Sequence, residues 1–164
     1  MNIRRTGTIF ACAVFVSLLV GCGKPEPMTP PTIHLGADVC ARCGMMLSEK
    51  RFAGALVVRD ESGRVDRRLF DDVGEMLMAN IPSQEHRFYA IDFSTGEWTD
   101  ADDAAFVHSR SVMTPMATGV VAFGNKDKAN AFAQSHDGEV YSFAAARQLA
   151  GEEKLGVDED ATAP

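Results

Sequence analysis

Cysteine is scarce in this chain, and half of it falls at the start. Of four cysteines in 164 residues, Cys12 and Cys22 lie in or at the end of an apolar leader, so only Cys40 and Cys43 remain for the folded part. That is too few for a disulfide-stapled scaffold. Basic residues are in deficit, 16 against 23 acidic, for a net charge of -7. If the leader is removed with Arg4 and Arg5, 14 basic residues face 23 acidic ones, a net -9. An acidic surface repels phosphate, which argues against nucleic-acid binding. The longest apolar run, residues 8–20, is too short and wrongly flanked for a stable membrane-spanning helix. No Ser/His/Asp nucleophile signature, Gly-rich phosphate loop or His-rich zinc hydrolase motif is present, so no motif points to an enzyme. What remains is ordinary globular composition, 46% hydrophobic and 24% charged.

The N-terminus reads as a secretory signal. Arg4 and Arg5 form a positive n-region, and the apolar run ends in Leu19-Val20-Gly21-Cys22. These four residues resemble a bacterial lipobox, which implies cleavage before Cys22 and a lipid on its sulfur. Several acyl chains, at about 0.8 kcal/mol per buried CH₂, anchor a protein durably. Gly23, rather than Asp, follows the anchor; by resemblance to Gram-negative lipoproteins this suggests the outer membrane, facing the periplasm. Residues 23–32 (GKPEPMTPPT) hold four prolines and read as an extended tether. The expected organisation is a signal peptide at 1–21, anchor and tether at 22–37, a domain at 38–150 and a flexible acidic tail at 151–164.

Residues 33–50 show neither helical nor strand periodicity and read as a loop. Strands are predicted at 52–58, 65–70, 87–93, 97–99, 106–112, 120–123 and 139–143. Helices are predicted from Asp71 or Asp72 to about Asn80, over 126–135 and over 144–150. There is an internal echo: Phe70 precedes Val73 and Met76, and Phe143 precedes Ala146 and Leu149, each Phe closing a strand that starts soon after a glycine. The fold class is therefore α+β, with two small related ββαβ-type halves, about 38–100 and 101–150, carrying antiparallel or mixed sheets.

The chemistry concentrates in Cys40-Ala41-Arg42-Cys43-Gly44-Met45-Met46. A C-x-x-C pair serves as a redox disulfide, as half a zinc site or in a soft-metal site. No second C-x-x-C or paired-histidine motif completes a zinc site, and no strand–helix context supports a thioredoxin-type pair. The adjacent thioethers favour a soft ion, since thiolate and thioether sulfur select Cu(I). A second thioether pair, Met113 and Met116, flanks Thr114-Pro115 in another predicted loop. Core packing is the competing explanation for Met45, Met46, Met113 and Met116, and it accounts for Met76 and Met78. Of the scattered histidines, His34 lies nearest the motif. Asp71-Asp72 fits a helix N-terminus without catalysis.

Cys43-Gly44-Met45, Phe52-Ala53, Phe70-Asp71-Asp72, Thr95-Gly96-Glu97-Trp98 and Thr114-Pro115-Met116 followed by Gly119 and Ala122-Phe123 occur in that order after the lipobox. Together they resemble the NosL family, copper-binding lipoproteins of nitrous oxide reductase assembly, over about residues 38–150. The resemblance implies a monomeric periplasmic Cu(I) metallochaperone for denitrification. It would deliver copper for the catalytic copper–sulfide centre of nitrous oxide reductase, alongside an ABC-type maturation complex. It also implies Cys43, Met45 and Met116 as metal ligands, with Cys40 ranked after them and Met46, Met113 and His34 as further candidates. One departure is visible. The family often has Gly directly after the Met of T-P-M, whereas here Ala117 and Thr118 precede Gly119. Two alternatives remain: a thiol–disulfide oxidoreductase using Cys40 and Cys43, and a metal-free docking lipoprotein.

Overall fold

The computed structural model describes residues 24–80, 82–152 and 155. The expected leader, the anchor residue Cys22, Ile81 and most of the acidic tail lie outside the described residues. Among those described, no helix is long and apolar enough to cross a membrane.

Strand β1 (Gly54–Arg59) and strand β2 (Val65–Phe70) form a hairpin. Its turn is built by Asp60, whose Oδ1 accepts from the Ser62 and Arg64 backbone N–H groups at 2.9 and 3.0 Å. Gly63 supplies the left-handed residue at φ +86°. Helix α1 (Val73–Leu77) follows, then β3 (His86–Ile91) and the short β4 (Trp98–Asp100). These strands make one antiparallel sheet in the order β2-β1-β3-β4. Strands β5 (Ala105–His108) and β6 (Val120–Phe123), helix α2 (Lys126–Ser135), strand β7 (Glu139–Ser142) and helix α3 (Phe143–Gly151) complete the chain. The second sheet is also antiparallel, in the order β6-β5-β7.

The fold is thus α+β with two ββαβ units of like topology. In each, the first strand is central, the second and third flank it, and a helix joins the second to the third. The repeat runs in a different register from the sequence echo. Phe70 corresponds to Phe123, not to Phe143: each closes the second strand of its unit, each strand follows a left-handed glycine (Gly63, Gly119), and each leads two residues later to a capped helix. The caps correspond as well, Asp72 accepting from Gly74 N–H and Asn125 accepting from Lys128 N–H. Phe143 opens α3, an addition to the second unit.

Helix α1 ends at Leu77, short of the Asn80 expected, with Met78 as its C-cap. Five residues cannot sustain a helix alone; burial of Val73, Met76 and Leu77 holds it. Strand β5 stops at His108, before the expected Val112, because the chain turns at Ser109. The Ser109 and Ser111 hydroxyls both donate to the His136 carbonyl.

A parallel bridge between Asp92 and Ala122 joins the sheets, with Phe93 N–H donating to Ala122 O at 2.8 Å. The larger core cluster spans both units, combining Leu56, Val57, Met76 and Ile91 with Phe106, Val120 and Ala146. A smaller one lies under α2, where Phe93, Phe123 and Phe132 meet at 5.2–5.9 Å between ring centroids.

The proline-rich segment is extended but does not run free of the fold. Arg67 donates to Thr29 O (3.0 Å), Pro27 O (2.8 Å) and Glu26 Oε1 (2.6 Å). Arg59 donates to Glu26 O, Tyr89 to Met28 O and Trp98 Nε1 to Pro31 O. These four side chains lie on one face of the first sheet, with Ala55 and Val57, while Leu56 and Phe88 occupy the opposite face. Met28 and Ile33 pack against the core from the segment. The strap gives β1 a second covered face, which explains why all of it except Arg59 is buried.

Candidate metal centre

The cysteine motif folds as a tight hairpin. Cys40 N–H donates to Met45 O at 2.8 Å, Leu47 N–H to Asp38 O at 2.9 Å, and Val39 and Met46 form an antiparallel bridge. Gly44, at φ +75°, allows the reversal, and its N–H donates to Cys40 O at 3.0 Å. The hairpin is fastened to the end of β2 by Ala41 N–H donating to Leu69 O at 2.7 Å. Asp71 holds its exit, accepting from Ser48 N–H at 2.8 Å.

Cys40 and Leu47 point inward and are buried, whereas Val39, Met45 and Met46 point out. The Cys40 thiol meets Glu75, on α1, donating to Oε2 at 2.9 Å. Cys43 is half-buried, and both cysteines are free thiols. The donor atoms of Cys40, Cys43 and Glu75 all lie within 4.8 Å of one another. Burial and the Glu75 hydrogen bond push the Cys40 thiol up to about 11. Glu75 is only 5% exposed, and the hydrogen bond from the Cys40 thiol meets part of the cost of burying its side chain beside two sulfurs.

The methionine loop is held by the same helix end. Asp72, wholly buried, is the N-cap of α1. Its Oδ2 accepts from the Thr114 hydroxyl at 2.5 Å and from Met116 N–H at 3.0 Å, and its Oδ1 from the Thr118 hydroxyl at 2.5 Å and Gly74 N–H at 2.7 Å. Thr114 Oγ1 in turn accepts from Thr118 N–H and Gly119 N–H. Ala117 sits at φ +53° and Gly119 at φ +69°. An alanine therefore occupies a left-handed position that glycine suits better.

Residues 72 to 75 thus carry both loops: Glu75 binds the cysteine hairpin and Asp72 binds the Thr-Pro-Met turn. Cys40 and Cys43 come together, and the Met116 segment is tied to the same helical turn. Met45, Met46 and Met113 are exposed (49%, 61% and 65%), so core packing does not account for them. Met116 is half-buried. With Leu35 and Val39, the three exposed methionines make up the exposed large apolar side chains of the described residues, all on these two loops. His34 lies at the base of the hairpin with an exposed ring, its Nδ1 3.4 Å from Asp38, and is not part of the Cys–Cys–Glu group.

Sequence reasoning missed Glu75. Asp72-x-x-Glu75 has the spacing of a capping box, and that pattern placed an acid at the third helical position. Its engagement with a thiol 35 residues earlier was not legible locally.

These features define a class: a small two-sheet α+β protein with a thiol–carboxylate cluster beneath a methionine-rich rim. The chain belongs to the NosL family, whose model matches residues 31–149. Among solved structures it is similar to the crystal structure of the copper chaperone NosL from Shewanella denitrificans, at 22% identity and a TM-score of 0.58. That match covers 73% of this chain and 96% of the other. A comparison with curated protein sequences finds no match.

Proposed function

We propose that this protein is a periplasmic, membrane-anchored Cu(I) metallochaperone that supplies copper for the catalytic copper–sulfide centre of nitrous oxide reductase. Lipid on Cys22 anchors it, and its partners are the reductase and an ABC-type maturation complex. The observation that carries the reading is the attachment of both sulfur-bearing loops to one helical turn, residues 72 to 75. Cys43, Cys40, Met45 and Met116 are the proposed ligands, with Glu75 beside them holding the Cys40 thiol and Met46, Met113 and His34 in reserve. Family membership and the fold of a copper chaperone support it.

The chemistry suits a carrier rather than a permanent holder. Soft sulfur binds Cu(I) tightly, while a surface loop leaves a coordination position open to an incoming ligand. The ion then passes through a shared-ligand intermediate without entering free solution. Binding by a thiolate also releases a proton, so affinity rises with pH.

The oxidoreductase reading is disfavoured by the hairpin setting of Cys40 and Cys43 and by the raised Cys40 thiol. Redox cysteines sit at helix N-termini and have lowered values. Competition with a Cu(I) chelator tests the proposal. Cys43→Ser weakens Cu(I) binding, whereas Met76→Leu, a volume-conserving change in the core, leaves it intact. Equal affinities in the two variants reject the site, and failure of the parent protein to bind Cu(I) with both thiols reduced favours a metal-free docking role.

A further inference from the structure

The anchored N-terminus and the sulfur loops are joined to opposite ends of the first sheet. The β1–β2 register pairs Arg59 with Val65 at one end and Gly54 with Phe70 at the other. The strap is held at the first end, where Arg59 and Arg67 grip Glu26 and Pro27. It then crosses Tyr89 on β3 and reaches Trp98 on β4, which pairs with Ile91 near the second end. The cysteine hairpin follows directly and is fastened to Leu69 at that second end. Strand β1 spans about 20 Å at 3.3 Å per residue. Cys22 lies four positions before Glu26, a reach of at most about 14 Å.

We propose that residues 26–31 form an orienting strap. It places the β1–β2 turn, residues 60–63, against the lipid surface and presents the sulfur loops on the side away from it. The proposal rests on the anchored reading of Cys22. With the strap seated, the lipid-bearing residue stays near the turn. With the strap released, the whole stretch from Cys22 to Ile33 becomes slack, and either end of the domain can face the bilayer. Charge agrees with this orientation. Near the turn, Arg59, Arg64, Arg67 and Arg68 pair with Glu85, Asp60, Glu26 and Asp66, so that Glu61 is the one further acid on the turn and little of the negative charge that the chain carries as a whole is concentrated there. The methionine rim, which carries the exposed large apolar side chains, is then left open to a partner approaching from the aqueous side.

The test uses the full lipidated chain in phosphatidylethanolamine/phosphatidylglycerol nanodiscs carrying a nitroxide-headgroup lipid, read by paramagnetic broadening of backbone amide signals. The amides of residues 60–64 lose their signals, while those of residues 40–46 and 113–117 keep theirs. In the strap-release variant Arg67→Ala/Trp98→Phe the contrast disappears. Equal broadening at the two ends of the parent protein, or stronger broadening at the sulfur loops, overturns the proposal whether or not the variant folds. Mass spectrometry of the same sample separates the two failures. Without an acyl mass on Cys22 the anchored reading fails and the orientation with it; with the acyl mass present and both ends equally broadened, the orientation alone fails.

Discussion

Replacing Asp72 by Asn removes one oxygen and adds two N–H groups at the point where both loops meet α1. The carboxylate now accepts four hydrogen bonds, two from hydroxyls and two from backbone N–H groups. A hydroxyl can turn and accept; a backbone N–H cannot. If the amide nitrogen takes the Oδ2 place it confronts Met116 N–H, and Thr114 Oγ1 cannot readily accept from it because it already receives Thr118 N–H and Gly119 N–H. If it takes the Oδ1 place, Thr118 adapts, but Gly74 N–H is orphaned and the helix cap is lost. Either way a buried, charge-assisted bond disappears and a donor stays unpaired. At about 1.5–3 kcal/mol for such a bond, and with partial relaxation, the expected loss is about 2–4 kcal/mol. Urea unfolding followed by the single tryptophan, Trp98, measures it as a lowered midpoint at unchanged slope. Cu(I) affinity falls as well, because the Met116 segment loses its fixed point. A variant within about 0.5 kcal/mol of the parent, the ordinary range for an uninvolved surface change, refutes the claim that Asp72 clamps the methionine loop.

Ala117→Gly relieves the left-handed strain at φ +53° against a larger unfolded-state entropy, and is expected to raise stability by up to about 1 kcal/mol in the same assay. Stability also falls with alkaline pH through Cys40. Its ordinary value of 9.0 is raised to about 11 in the fold, so the unfolded chain sheds the proton first. The contribution is whole below about pH 9 and is lost as pH rises toward 11, by at most about 2–3 kcal/mol. Under reducing conditions, the difference between the parent and Cys40→Ala across that window isolates it.

Much of the fold was readable because it rests on local signals. Strand β2 and helix α2 match their expected limits, since Gly63 and Asp60 make the first turn and Asn125 caps the second helix. The ends of α1 and β5 were overestimated. Apolar spacing continues past both, while tertiary contacts end them: the Met78 cap in one case, and the Ser109 and Ser111 bonds to a carbonyl 25 to 27 residues away in the other. The expected repeat of two ββαβ units is present, but the echoed Phe143 is not the counterpart of Phe70, because Phe123 and Phe143 both stand at strand–helix junctions and only strand pairing tells them apart. The strap was invisible for a similar reason. Its proline composition reads as tether, and the arginine, tyrosine and tryptophan that hold it lie 33 to 67 residues away. At the site, the sulfur residues announced themselves by type and spacing. Asp72 reads as helix-start chemistry, which is correct but incomplete, and Glu75 escaped notice because its partner lies 35 residues away.

The most direct test of the account is X-ray absorption at the copper edge of the Cu(I)-loaded protein, comparing the parent with Met116→Leu and Met76→Leu. Sulfur-dominated coordination that loses one sulfur neighbour in Met116→Leu and none in Met76→Leu is the predicted result. Coordination dominated by nitrogen or oxygen, or a sulfur count unchanged by Met116→Leu, contradicts a centre shared between the two loops.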